Sequence, residues 1–115
     1  MATILLVDDE PPIRQLVARI LERQGHRVIS CGDAAEALGV TDVVDLLLVD
    51  YVLPDLNGRV LTERLRERQP GLPVILMSGY LPDPELSPPE PSVFLQKPMR
   101  PAVIVQTVEQ MLAGT

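Results

Sequence analysis

Cysteine and histidine are almost missing from these 115 residues, with one of each. A lone Cys31 rules out an internal disulfide, and with a lone His26 it leaves no ligand set for structural zinc. Cys31 is expected as a small buried hydrophobe at a strand end, and His26, after Gly25, as a surface residue in a turn. Long apolar runs are missing too. Hydrophobic residues make up 46% of the chain but come in short blocks, and none approaches the roughly 18–20 residues that span a bilayer. No basic segment leads an apolar core at the N-terminus, so no signal peptide is read; a cytoplasmic location with no membrane partner is expected. Positive charge is scarce as well. Ten Lys and Arg stand against sixteen Asp and Glu, a net −6, whereas phosphate backbones need clustered cations, so direct nucleic-acid binding is not expected. The one local cluster, RLRER (64–68), reads as the wet face of a helix.

What is present is an alternation. ILLV (4–7), RVISC (27–31), LLLVD (46–50), VILMS (74–78) and VFLQK (93–97) have strand length. The near-continuous apolar runs suit a sheet covered on both faces. Between them lie helical patterns. Ile13, Leu16, Val17, Ile20 and Leu21 recur on one face after Pro11–Pro12, and Gly25 suits the end of that helix. Asp33 with Glu36 has capping spacing for a short second helix, limited by Gly39. Asn57–Gly58 opens a third helix, with Val60, Leu61 and Leu65 inward and Arg59, Glu63, Arg66 and Glu67 outward. A last helix starts near Pro101 and carries Val105, Val108, Met111 and Leu112. Repeated strand–helix units predict one α/β domain over residues 1–115, a doubly wound parallel sheet with right-handed crossovers. YLPDPELSPPEP (80–91) breaks the rhythm with five of the twelve prolines, and an irregular segment with at most one helical turn is expected there.

In such sheets ligands sit beyond the carboxyl ends of the strands. Asp8 and Asp9 end the first strand, Asp50 the third, Ser78 the fourth and Lys97 the fifth. Taken singly, Asp8 and Asp9 suit a solvated loop or a helix cap, Asp50 a turn cap, Ser78 an ordinary hydroxyl and Lys97 a surface charge. Together they place three carboxylates, an ammonium and a hydroxyl at one edge. Crowded carboxylates repel unless a cation neutralises them. An all-oxygen set suits a hard divalent ion, Mg²⁺ in style. In that setting Asp50 would attack phosphorus and become an acyl phosphate, with Lys97 and Ser78 binding phosphoryl oxygens.

VDD (7–9), LLLVDYVLPDLNG (46–58), ILMSGY (75–80) and FLQKP (94–98), in this order, resemble the receiver domain of bacterial two-component response regulators, across essentially the whole chain. The resemblance implies a flavodoxin-like five-stranded sheet in the order 2-1-3-4-5. It also implies Asp50 as phosphoacceptor, Asp9 as main metal carboxylate with Asp8 assisting, and the Val52 backbone carbonyl as a further ligand of Mg²⁺, with Mn²⁺ as an alternative. Ser78 and Phe94 take switch positions, Lys97 binds phosphate, and Pro98 follows a cis peptide. Val52 and Tyr80 stand where the family tunes phosphoryl lifetime.

The implied function is a signalling switch rather than an enzyme with a separate substrate. A histidine kinase or histidine phosphotransfer protein would donate the phosphoryl group, partner binding would change, and slow self-dephosphorylation would follow. The downstream target is unknown. The proline-rich segment departs from the family, standing where its fourth helix belongs; that helix is expected short, irregular or missing, which puts the family's usual dimer surface in doubt. The chain stops after its last helix, so a stand-alone receiver and the receiver of a hybrid histidine kinase both fit. A haloacid-dehalogenase-type phosphatase also uses an aspartate after a strand but wants an acid two residues on, where this chain has Val52. A receiver fold that has lost its chemistry is the third reading; the full acidic set argues against it.

Overall fold

The structure, a computed structural model, describes residues 1–79 and 87–114. Its elements are β1 (Thr3–Val7), α1 (Pro11–Arg23), β2 (Arg27–Cys31), α2 (Ala34–Leu38), β3 (Leu46–Asp50), α3 (Gly58–Arg68), β4 (Val74–Ser78), β5 (Ser92–Gln96) and α4 (Pro101–Leu112). The strands form one five-stranded sheet in the order β2-β1-β3-β4-β5, and every pairing is parallel. This is the flavodoxin-like order expected above.

Two cores flank the sheet because successive side chains of a strand point to opposite faces. Leu5, Val7, Leu47, Val49, Val74 and Leu76 pack with Ala34, Ala37, Leu61 and Leu65 of α2 and α3. Ile4, Leu6, Leu46, Leu48, Ile75 and Met77 pack with Val17, Leu21, Ile104 and Val108 of α1 and α4. Residues of β1, β3 and β4 between these helix layers are almost wholly buried, which is why their sequences are apolar throughout rather than alternating. Each large side chain so buried contributes about 1.5–3 kcal/mol. The resulting rigid sheet fixes where its carboxyl ends lie.

The helix ends follow their local chemistry. Asp33 accepts the Glu36 N–H at 2.8 Å and starts α2, and Asn57 accepts the Val60 N–H at 2.9 Å and starts α3. After α1 the chain reverses at Gly25, whose φ of 89° suits only glycine comfortably. Among the described residues no helix is long and apolar enough to cross a membrane.

Three expectations need correction. Leu16 does not face the core; it is 57% exposed, because the buried stripe of α1 is the narrower Val17–Leu21 line. Arg66 is not a solvated outer residue. It is half-buried, and its guanidinium donates to the carbonyls of Leu72, Pro89 and Pro91 at 2.6–3.0 Å. His26 is half-buried too, and its Nδ1 accepts the Ala2 N–H at 3.1 Å.

Of the proline-rich segment, residues 80–86, including Tyr80, lie outside the described residues. Residues 87–91 are bends and coil without helix. Cys31 is buried as expected, and burial pushes its thiol up to about 11. A thiol with no thiolate at neutral pH is inert. Iodoacetamide at pH 8 is therefore expected to label Cys31 only after denaturation, read by intact mass.

Candidate functional site

The carboxyl ends of β1, β3, β4 and β5 bring the anticipated residues to one edge. Asp8 follows β1 and is fully buried, while Asp9 beside it is exposed. Asp50 closes β3 at 5% exposure. Lys97 follows β5, anchored by its N–H on the Ser78 carbonyl at 2.7 Å. Its ammonium lies 2.8 Å from Asp8 Oδ2 and 2.7 Å from Asp50 Oδ2, with Glu10 Oε1 at 3.6 Å. Asp8, Asp9, Glu10 and Asp50 each offer a carboxylate oxygen, all within 4.8 Å of one another. Glu10 was absent from the sequence-based site; the signal for it was the third acid of DDE (8–10).

The electrostatics are unbalanced. One ammonium, paired with Asp8, Glu10 and Asp50, sits in a cluster of four carboxylates, so Lys97 cannot neutralise both of the buried acids. Burial pushes the Asp50 carboxyl above the usual carboxylate range. The Lys97 hydrogen bond and charge and the Val52 N–H act against that rise, and Asp8 adds to it. Burial pulls the Lys97 ammonium down, but hydrogen bonds and charge from Asp50 and Asp8 outweigh it and hold its pKa above the ordinary value. Arg14 from α1 adds a guanidinium nearby. It donates to the Asp8 carbonyl oxygen at 2.6 Å rather than to a carboxylate, fixing the backbone between the two aspartates.

The remaining site residues have distinct surroundings. The Val52 N–H donates to Asp50 Oδ1 at 3.1 Å, and Val52 itself is 50% exposed. Ser78 ends β4 fully buried, beside Lys97 through the β5 backbone. Phe94 is half-buried and packs against the α2–α3 core. The Lys97–Pro98 peptide is cis, and so is Glu90–Pro91.

Gly58 is a site residue whose importance the sequence did not reveal. Its N–H donates to the Tyr51 carbonyl at 2.8 Å, closing the β3–α3 loop. A Cβ there would lie 2.6 Å from the Asp50 carbonyl oxygen and 2.9 Å from Leu76 Cδ1. The obstruction is backbone, so α3 must move away from the end of β3. Gly58→Ala is expected to lower stability by about 1–3 kcal/mol, read as a shift of the urea midpoint, and to slow any reaction at Asp50.

The family model for the response regulator receiver domain matches residues 4–109. The probable transcriptional regulatory protein TcrX of Mycobacterium tuberculosis is 35% identical over 79 residues, 67% of this chain and 34% of that protein. The sensor kinase CckA of Brucella abortus is 33% identical over 118 residues, 96% of this chain and 12% of the kinase. The chain thus spans about a third of the first relative's length and about an eighth of the second's. The crystal structure of the receiver domain from the hybrid histidine kinase CckA superposes with a TM-score of 0.85 at 31% identity, covering 96% of this chain and 98% of that one. Sheet order, acidic edge and family match agree: the chain belongs to the response regulator receiver domain family of two-component signalling.

Proposed function

We propose that this chain is a phosphorylation switch. Asp50 takes a phosphoryl group from phosphohistidine on a histidine kinase or histidine phosphotransfer protein, with Mg²⁺ held beside it. Partner binding changes, and slow self-dephosphorylation resets the domain. It is not an enzyme with a separate substrate; the chemistry it promotes is its own modification. The observation that carries this reading is the Lys97 ammonium between the buried Asp8 and Asp50 carboxylates, inside an acidic cluster that one lysine cannot neutralise.

The donor set is all oxygen and fits a hard cation. Asp9 and Asp8 would hold Mg²⁺ with Asp50 and the Val52 carbonyl, and the bound ion would neutralise charge on the phosphoryl oxygens. The chain's own groups do the rest. An Asp50 oxygen forms a bond to phosphorus as the P–N bond breaks, and the bonding pair leaves with the imidazole. Lys97 exchanges its contact with Asp50 for a phosphoryl oxygen, and the Ser78 hydroxyl donates to another. The added negative charge draws Ser78 inward, and Phe94 turns toward the space it leaves, a local electrostatic event with a conformational readout.

The test is addition of Mg²⁺ and beryllofluoride, a phosphoryl mimic, to isotope-labelled protein. Amide resonances of Asp50, Ser78, Lys97 and their neighbours are expected to shift. An unchanged spectrum removes the proposal.

A further inference from the structure

The loop Tyr51–Asn57, which carries Val52, is held at three places. At its ends, the Tyr51 N–H donates to the Met77 carbonyl at 2.8 Å and the Tyr51 carbonyl accepts from Gly58. At its middle, Leu53 is buried in the α2–α3 core. The third anchor is Asp55. Its Oδ1 accepts the Ala34 N–H at 3.0 Å and the Leu56 N–H at 3.0 Å, and its Oδ2 accepts the Ala35 N–H at 2.9 Å.

Ala34 and Ala35 are the first residues of α2, and the local cap Asp33 already takes the next N–H, that of Glu36. The carboxylate of Asp55 therefore completes the α2 terminus from about twenty residues away and ties the phosphoacceptor loop to a helix packed on the sheet. A carboxylate accepting several backbone N–H groups is a strong, directional anchor. In agreement, the Ala34 and Ala35 N–H groups hold the Asp55 carboxyl below the usual range.

We infer that Asp55 is a positioning residue for the reaction at Asp50: its clamp on α2 presets the loop so that the Val52 backbone faces the cation. The inference deepens the function proposed above and rests on it. The contrast that isolates it is between Asp55 and Asp33. Both cap α2, but only Asp55 belongs to the loop.

Mg²⁺ titration of the metal-free chain, followed by calorimetry, reads the effect directly. Asp55→Ala is expected to raise the Mg²⁺ Kd about tenfold, the low end for loss of a group that orients ligands, with Asp55→Asn between it and wild type. Amide hydrogen exchange without metal is expected to speed up at Val52 and Leu56 in Asp55→Ala, even if its melting temperature falls. Asp33→Ala is expected to leave the Mg²⁺ Kd at the wild-type value. An unchanged Kd in Asp55→Ala, or an equal rise in Asp33→Ala, reduces Asp55 to a helix cap and overturns the inference. A wild-type chain that takes up no Mg²⁺ removes the function reading itself, and this inference with it.

Discussion

Asp50→Asn is expected to leave a folded domain that accepts no phosphoryl group, seen as one unshifted band on phosphate-affinity electrophoresis after incubation with acetyl phosphate and Mg²⁺. The amide oxygen carries no negative charge and is too weak a nucleophile to attack phosphorus. It is nearly isosteric, and its one oxygen keeps a single acceptor where the carboxylate bonds both Lys97 and Val52. The variant also has a stability signature whose sign follows from burial. The folded-state pKa of Asp50 is raised, so its neutral form is the one the fold favours. That contribution is fully present below the unfolded carboxylate pKa and is lost as pH rises through the folded value. The ionised side chain therefore destabilises the metal-free wild type at neutral pH, and a neutral amide does not. With a chelator present, Asp50→Asn should melt higher than wild type at pH 7, and the gap should close on acidification. Melting curves across pH check this, and a gap that widens in acid contradicts it.

Lys97→Met should produce opposite effects on metal and on chemistry. The ammonium now occupies the space between Asp8 and Asp50, whose side chains are 0% and 8% exposed. Removing it leaves two buried carboxylates facing each other, and breaking a buried pair this way costs about 3–5 kcal/mol. The metal-free variant should melt far below wild type. Mg²⁺ then meets no competing cation, so it should bind more tightly and raise the melting temperature more than it does in wild type. Phosphorylation should still fall, by about a hundredfold, because a donor to the transferring group is gone. A variant that binds Mg²⁺ more weakly than wild type would mean that Lys97 supports the cation site rather than competing with it.

Much of this site could be read before the fold was known, for a physical reason. Strands covered on both faces must be apolar, so the charged residue ending each run stands out, and parallel strands put those ends on one edge. Asp8, Asp50, Ser78 and Lys97 were legible in that way. The order of the strands was not; it came from the resemblance, because apolar runs carry no record of their neighbours. Periodicity also misplaced Leu16 and Arg66. A helix face read at fixed spacing ignores how wide the buried stripe is, and a long guanidinium side chain can fold back from a polar position to reach carbonyls on another segment. Gly58 and Asp55 were hidden for a different reason. One matters through a close backbone approach to Asp50 and the other through hydrogen bonds to a distant helix; both lie inside the LLLVDYVLPDLNG stretch, but periodicity and spacing do not show either contact.

The acidic cluster gains its meaning only with a cation present, so the most direct measurement is intact mass after acetyl phosphate treatment, run in parallel with Mg²⁺ and with a chelator. One added phosphoryl group in the Mg²⁺ sample, localised to Asp50 by peptide mapping of the same sample, and none in the chelated sample, is the expected outcome. No gain in either sample, or a gain that survives chelation or maps to another residue, contradicts the account.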